Sequence, residues 1–234
     1  MRHSRPGWPL AIVVAASLLG GGCDQQLKND LGAPVACPAI EKSLNEGIAG
    51  TLDKVQVGDY VLMENKYFTF SSPWVKYQDF SDLVVEIYPH AEGKELHLIR
   101  TTVNYSGGTA SKPDSKHVYG LATADYLICP EVESSLVTFH NFKAIDSKGP
   151  SPDPKCKGDD CTIRIREVRF DIADRSGGGE KRYNYVFKVS PDLPYLARFL
   201  SQCATSKQDV NGMDVPVTQC TDVIEAGNQP PETP

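Results

Sequence analysis

The sequence lacks the short motifs that mark most enzyme active sites. It contains no G-x-S-x-G elbow, no H-E-x-x-H pair, no phosphate-cradling glycine loop and no dinucleotide fingerprint. It also has no C-x-x-C pair, and no histidine lies within a few residues of a cysteine, which disfavours a zinc site or a redox dithiol. We therefore expect a protein that is not an enzyme and that uses no catalytic residue, cofactor or metal. A hydrolase whose site assembles from distant residues stays open as an alternative.

The chain also has fewer basic than acidic side chains. The 234 residues include 24 Lys and Arg against 30 Asp and Glu, a net charge of −6. This balance disfavours a nucleic-acid partner, which normally meets a basic surface. The length suits one domain, and the hydrophobic share of 40% excludes a wholly disordered chain.

The first 22 residues have the pattern of an export signal. Arg2 and Arg5 precede an apolar run, 10–19, which is about half as long as a membrane-spanning helix. Gly20, Gly21 and Gly22 then lead into Cys23. This segment resembles the lipobox of bacterial lipoproteins, although leucine is more common at the position of Gly20. The resemblance implies lipidation, with palmitate among the acyl groups, at Cys23; ordinary cleavage after Gly22 would instead give an unanchored periplasmic protein.

Processing at Cys23 would change the charge and define the membrane anchor. Loss of the leader removes two arginines and leaves 22 basic and 30 acidic residues, a net charge of −8. Such a chain favours a basic partner surface over anionic lipid headgroups. Asp24 resembles the inner-membrane retention signal of enterobacterial lipoproteins, but other bacteria read this position differently, so either membrane remains open.

The other six cysteines are expected to form three disulfides in the oxidising periplasm. Fifteen pairings are possible for six cysteines, and the sequence does not decide among them. Proximity along the chain favours Cys156 with Cys161 and Cys203 with Cys220, which leaves Cys37 with Cys129.

The hydrophobic pattern predicts an α+β fold, mainly an antiparallel sheet or sandwich with a short helix near each end. Ile40, Leu44 and Ile48 recur every four residues and predict a helix that ends near Gly50. A second helix is expected where Leu196, Phe199, Leu200 and Cys203 follow helical spacing. The predicted strands are 55–63, 66–70, 82–88, 95–104, 117–128, 135–145, 162–173, 182–189 and 214–224.

Two details complete the predicted organisation. Within 162–173 the apolar residues change parity at Arg166 and Glu167, which favours a β-bulge there. His97 and His140 are expected to be surface or sheet-face residues.

The sequence predicts four regions along the chain. These are a signal peptide at 1–22, a lipidated N-terminus and tether at 23–36, a single domain at 37–225 and a disordered tail at 226–234.

A dense aromatic segment is the first candidate for partner binding. Residues 67–80 hold six aromatic side chains, in a chain whose overall aromatic share is 9%. Parity places Phe68 and Trp74 on one strand face and Tyr67 and Tyr77 on the other. Core packing would account for all of them, but Trp and Tyr are also favoured at binding hot spots, so Tyr67, Trp74 and Tyr77 are candidate contacts.

An acidic, proline-rich loop is the second candidate. Residues 146–161 include Asp153, Asp159 and Asp160, and a disulfide would make the loop rigid. The spacing of the carboxylates does not match an EF-hand calcium loop. An ordinary solvated loop is the plain alternative.

As a whole, the chain resembles the small periplasmic immunity lipoproteins that neutralise type VI secretion effectors, particularly phospholipase-type toxins. The resemblance rests on the SLLGGGC-D leader, the disulfide-rich acidic β domain and the C-terminal LPYLARFLSQC…VTQC segment. It implies stoichiometric binding of a cognate secreted toxin and carries over no individual residue except Cys23. An envelope accessory or assembly lipoprotein is the principal alternative.

Overall fold

The structure is a computed structural model and describes residues 31–69, 72–129, 136–158, 160–176, 179–210 and 213–228. Its elements are one α-helix, α1, eleven β-strands and one short 3-10 turn, Tyr195–Ala197. The helix is Cys37–Ile48, and the strands are β1 Pro34–Val35, β2 Asp59–Thr69, β3 Ser72–His90, β4 Gly93–Ser106, β5 Thr109–Ala110, β6 Asp114–Ala122, β7 Val137–Pro150, β8 Thr162–Asp174, β9 Lys181–Val189, β10 Phe199–Val210 and β11 Met213–Asn228. The sheet-dominated α+β class is therefore confirmed.

The strands form one antiparallel sheet with a simple path. Their order is β1-β7-β8-β9-β10-β11-β2-β3-β4-β5, and β6 also pairs with β4. The predicted hairpin is present, because β3 pairs with β4 over most of its length. The folded region includes residues predicted as tether and tail, since β1 pairs with β7 and β11 pairs with β2 as far as Asn228.

Helix α1 contains the three apolar residues that predict it, ends close to Gly50 as expected, and packs on one face of this sheet. Pro38 lies in its first turn, where the missing N–H costs no helical hydrogen bond. Ile40, Leu44 and Ile48 are buried with Val168, Phe170, Phe187 and Val189 of β8 and β9 in the first core cluster. A Cβ atom at Gly47 would lie 2.3 Å from a Val189 methyl carbon, so glycine allows the close approach. The face covered by α1 is called the helix face below.

The predicted second helix is wrong. Only Tyr195–Ala197 form a 3-10 turn, and the chain then continues as β10. Cys203 pairs with Val186 of β9 on one side and with Cys220 of β11 on the other. Backbone pairing on both edges outweighs the helical spacing of the side chains, because helix propensity is a weak preference that tertiary context overrides.

The predicted bulge at Arg166 and Glu167 is also wrong. Strand β8 pairs with β7 without a shift from Thr162 to Arg169, and with β9 from Arg166 to Asp174. The apolar parity changes because the two halves of β8 bury opposite faces. Val168 packs under α1, whereas Ile163 packs with Val61, Leu193, Ala197 and Ala226 in a second cluster.

The three disulfides join Cys37 to Cys129, Cys156 to Cys161 and Cys203 to Cys220. This is the pairing that proximity along the chain favours. The first bond links α1 to the segment after β6, the second closes the β7–β8 loop, and the third crosses directly between β10 and β11. Disulfides persist in oxidising compartments, so this bonding pattern indicates an extracytoplasmic protein.

Candidate functional site

The aromatic side chains predicted for partner binding divide between the two faces of the β2–β3 hairpin. Phe68 and Trp74 lie together, with ring centroids 5.6 Å apart, on the face opposite α1. Tyr67 and Tyr77 lie together on the helix face, with ring centroids 6.0 Å apart. The structure thus gives the distribution that strand parity predicts.

The Phe68–Trp74 pair is exposed and firmly supported. Phe68 retains 39% and Trp74 41% of its accessible surface. The ammonium group of Lys66 lies 5.3 Å from the centre of the Trp74 ring, within the range of a cation–π contact. The same ammonium group contacts Asp222 at 2.7 Å and Glu64 at 3.2 Å. Although burial lowers the pKa of Lys66, these two carboxylates raise it, and the ammonium stays charged beneath the ring.

A second charged group stiffens the neighbouring strands. Lys76 contacts Asp79 at 2.8 Å, and the hydroxyl of Tyr105 donates to the same carboxylate at 2.6 Å. The bond from Tyr105 connects β4 to β3 on the face that carries Phe68 and Trp74, and the Lys76–Asp79 pair lies within β3. The aromatic pair therefore projects from a supported sheet rather than from a loop, which reduces the entropy cost of binding.

The acidic loop packs against the end of β11. The backbone N–H of Ala226 donates to Pro152 at 3.1 Å, and the side chain of Lys155 donates to the carbonyl of Asn228 at 2.6 Å. Asp153 accepts the N–H of Lys155 at 2.8 Å and is half-buried, whereas Asp160 is exposed. Asp159 lies outside the described residues.

The acidic loop and the aromatic pair do not form one surface. Asn228 pairs with Asp59 at the start of β2, while Phe68 is near the end of that strand. At about 3.3 Å per residue the two regions are separated by roughly 30 Å along β2. Of these two candidates, the aromatic pair has the larger exposed apolar area, so it is the stronger candidate for partner binding.

His97 and His140 have different surroundings in the sheet. His97 lies on the sheet face between Glu86, at 3.3 Å, and Glu95, at 2.8 Å. His140 is buried and hydrogen-bonds through its two ring nitrogens to Gly32 and Thr138. Among the residues that the structure describes, no group of three or more His, Cys, Asp and Glu side chains has the geometry to hold a metal ion.

Ion pairs connect the two strands of the β7–β8 hairpin and attach the hairpin to the rest of the domain. Asp192 accepts bonds from the guanidinium of Arg164, and Asp146 accepts bonds from Arg166, which also contacts Glu46 of α1. The side-chain bonds from these arginines are the main reason that the pKa values of Asp192 and Asp146 are lowered.

Acidification should weaken this attachment. A carboxylate with a depressed pKa in the folded state contributes stability above its unfolded pKa, about 3.9 for Asp, and that stability is lost as pH falls through the folded value. We expect the free energy of unfolding to decline below about pH 4, and to decline less steeply in Asp192→Asn, when urea titrations are compared across this range. Asp160→Asn is the matched control, because Asp160 forms no ion pair with a described residue. Equal slopes for Asp192→Asn and the parent would contradict this role.

Sequence reasoning missed a polar row on the helix face. The hydroxyl of Thr221 donates to Asn65 at 2.6 Å, Asn65 donates to Gln78 at 2.8 Å, and Gln78 donates to Asn104 at 2.9 Å. These four residues lie far apart in the chain and carry no motif, and only the register of β11, β2, β3 and β4 brings them together.

No protein-family model matches this chain, and no curated protein matches it. Three solved structures are similar to it in part. A candidate lipoprotein from Parabacteroides distasonis ATCC 8503 is 10% identical with a TM-score of 0.37, covering 74% of this chain and 96% of the other. A candidate exported protein with a YmcC-like fold from Bacteroides fragilis NCTC 9343 is 6% identical with a TM-score of 0.39, covering 74% and 97%. A LolA superfamily protein from Nitrosomonas europaea is 9% identical with a TM-score of 0.24, covering 86% and 96%.

With TM-scores below 0.5, these likenesses carry no argument about function. Within the described ranges, no helix has the length and apolar character needed to cross a bilayer. The structure itself indicates an extracytoplasmic, disulfide-bonded, sheet-dominated domain.

Proposed function

We propose that this chain is a lipid-anchored periplasmic protein that binds a protein partner through the Phe68–Trp74 pair. The partner proposed is a secreted antibacterial toxin, which the chain neutralises by stoichiometric binding and without a catalytic step. The observation that carries the proposal is the exposure of two large aromatic side chains on a face that the charged groups of β2 and β3 hold in place. Exposed Trp and other aromatic anchors supply most of the affinity at interfaces of this kind.

Three further features support this function. The disulfides keep the domain rigid outside the cytoplasm, where a secreted toxin would be met. A net charge of −8 after removal of the leader favours a basic partner and would speed its association. Lipidation at Cys23 would keep the chain at the membrane, and an intact mass of membrane-extracted protein that shows no acyl groups on Cys23 would refute that part.

Replacing Trp74 by alanine should weaken capture of the partner about 30-fold or more, which corresponds to the loss of one interface hot spot. The measurement is a quantitative pull-down from the native envelope, followed by titration of the recovered protein. Tyr119→Ala is the matched control, because Tyr119 is an aromatic residue that is 79% exposed on β6, a different strand of the sheet. Equal losses for the two variants, or none for Trp74→Ala, would contradict the assigned surface.

The identity of the recovered protein separates immunity from the alternative. A toxin encoded beside this chain, whose periplasmic toxicity is abolished by the parent protein and not by Trp74→Ala, would support immunity. Recovery of an envelope assembly component would instead support the accessory role. A neighbouring toxin that stays fully active in the presence of the parent protein would refute neutralisation.

A further inference from the structure

The helix face has a covered part and an uncovered part. Helix α1 covers the first apolar cluster, on β8 and β9. Beyond this cluster lies a cleft of about 190 Å³ between β9, β10 and β11, with Tyr77 of β3 at its edge. Its lining includes Tyr77, Tyr185, Phe187, Gln202, Ala204 and Gln219.

Strand register explains why a cleft forms there. Ala204 is paired with Tyr185 on one side and with Gln219 on the other. Because side chains of paired residues lie on the same face, the small methyl group of Ala204 stands between two much larger side chains. Gln202 occupies the next position on this face and is paired with Phe187 and Thr221.

Several polar groups at the cleft have no partner within the part of the chain that the structure describes. The side-chain amides of Gln202 and Gln219, and the hydroxyls of Tyr77 and Tyr185, form no hydrogen bond with a described residue. Each amide offers two donors and an acceptor, and each hydroxyl offers a donor and an acceptor. Burial raises the pKa of Tyr185, which keeps its hydroxyl protonated.

The lining also restricts the ligand by its charge. The described residues that line the cleft include no Asp, Glu, Lys, Arg or His. A phosphate, a carboxylate or a metal ion would therefore find no charged partner in the cleft. A neutral molecule would have a much smaller desolvation cost than an ion. Flat aromatic rings beside free amides suit a ligand with an apolar ring face and a rim of hydroxyl groups.

We infer that this cleft binds a neutral saccharide, with one sugar ring against the partly exposed ring of Tyr185 and its hydroxyl groups bonded to Gln202 and Gln219. The polar row from Thr221 through Asn65 and Gln78 to Asn104 continues from Gln202 across the sheet. From Gln202 on β10 to Asn104 on β4 there are four strand intervals of about 4.8 Å, a length of roughly 19 Å. This polar surface therefore suits an oligosaccharide better than a single sugar. This site is separate from the proposed protein surface, because Phe68 and Trp74 lie on the other face.

The test is calorimetric titration of the full mature chain, extracted from membranes in a detergent without a sugar headgroup. The probes are cellohexaose, maltohexaose and hexa-N-acetylchitohexaose as neutral saccharides, dextran sulfate as an anionic one, and an uncharged peptide. We expect at least one neutral hexasaccharide to bind and dextran sulfate and the peptide to fail. Binding by none of the three neutral hexasaccharides, or binding only of dextran sulfate or the peptide, would overturn the inference.

Variants locate the binding on this cleft. Ala204→Leu fills the space between Tyr185 and Gln219 and should weaken saccharide binding at least tenfold. Gln219→Leu changes an exposed side chain, so it preserves the fold if Ala204→Leu does not, and should weaken binding about fivefold through loss of its hydrogen bonds. Tyr119→Ala should leave saccharide binding unchanged, since Tyr119 is an exposed residue of β6 and does not line the cleft. Full binding by folded Ala204→Leu and Gln219→Leu would overturn the inference.

Discussion

Replacing both Cys37 and Cys129 by serine is expected to lower the free energy of unfolding by about 4–5 kcal/mol. This bond joins residues 92 positions apart, so it removes more freedom from the unfolded chain than either of the other two. It also fastens the segment after β6 to α1. The N–H groups of Ile128 and Cys129 both donate to Glu41, and the N–H of Tyr126 donates to Asn45, so the disulfide and these hydrogen bonds act on the same helix.

The measurement is urea unfolding followed by circular dichroism under oxidising conditions. The matched control is the Cys156→Ser/Cys161→Ser double variant, which opens a loop with a sequence separation of only 5. The same chain-entropy relation gives about 2 kcal/mol for that loop. A loss from the control that equals or exceeds the loss from Cys37→Ser/Cys129→Ser would contradict the proposed role of the long-range bond.

Replacing Arg100 by alanine is expected to cost about 2–3 kcal/mol, the second large effect on stability. Its guanidinium donates two bonds to Asp82, at 2.7 and 2.6 Å, and lies 5.4 Å from the centre of the Phe80 ring. Asp82 is only 4% exposed, so removal of the arginine leaves a buried carboxylate without its cation. The side chain of Arg100 is 40% exposed, which places the cost below that of a fully buried pair.

A double variant separates this cause from simple loss of packing. Asp82→Asn removes the negative charge while keeping the shape of the side chain, so Asp82→Asn combined with Arg100→Ala should be more stable than Arg100→Ala alone. Thermal and urea unfolding of the single and double variants provide the comparison. If the double variant is less stable than Arg100→Ala, the buried charge is not the source of the loss.

Local patterns predicted the parts of the fold whose structure is set by neighbouring residues. The four-residue spacing of Ile40, Leu44 and Ile48 predicted α1, and the segment around PHAEGK predicted the β3–β4 hairpin. Alternation along the strands also separated Phe68 and Trp74 from Tyr67 and Tyr77. Each of these features depends on side chains that lie within about twenty residues of one another.

The sequence did not predict the features that depend on pairing between distant segments. Leu196, Phe199, Leu200 and Cys203 have helical spacing, but the edges of β9 and β11 recruit the chain as a strand. In the same way, the parity change in β8 records two separate cores rather than a bulge. Such choices depend on which segments lie alongside, and a single stretch of sequence does not contain that information.

The candidate sites also divide into those visible in a local stretch of sequence and those that depend on strand pairing. The aromatic segment was found from composition, because its density is visible in the sequence. The saccharide cleft was missed, because nothing in the sequence distinguishes Gln202 and Gln219 until the pairing of β10 with β11 places Gln219 beside Ala204, on the face that also carries Gln202. The acidic loop was visible as a charge cluster, but its packing against β11 removes part of its charged surface from solvent.

Site-specific photo-crosslinking in the native envelope tests the central claim most directly. A photoreactive phenylalanine analogue would replace Trp74 in one sample and Tyr119 in another, since both residues are exposed aromatics on separate strands. The proposed function predicts one discrete cross-linked protein from position 74 and none from position 119. No protein product at position 74, or the same products at both positions, would contradict a partner-binding surface at Phe68 and Trp74.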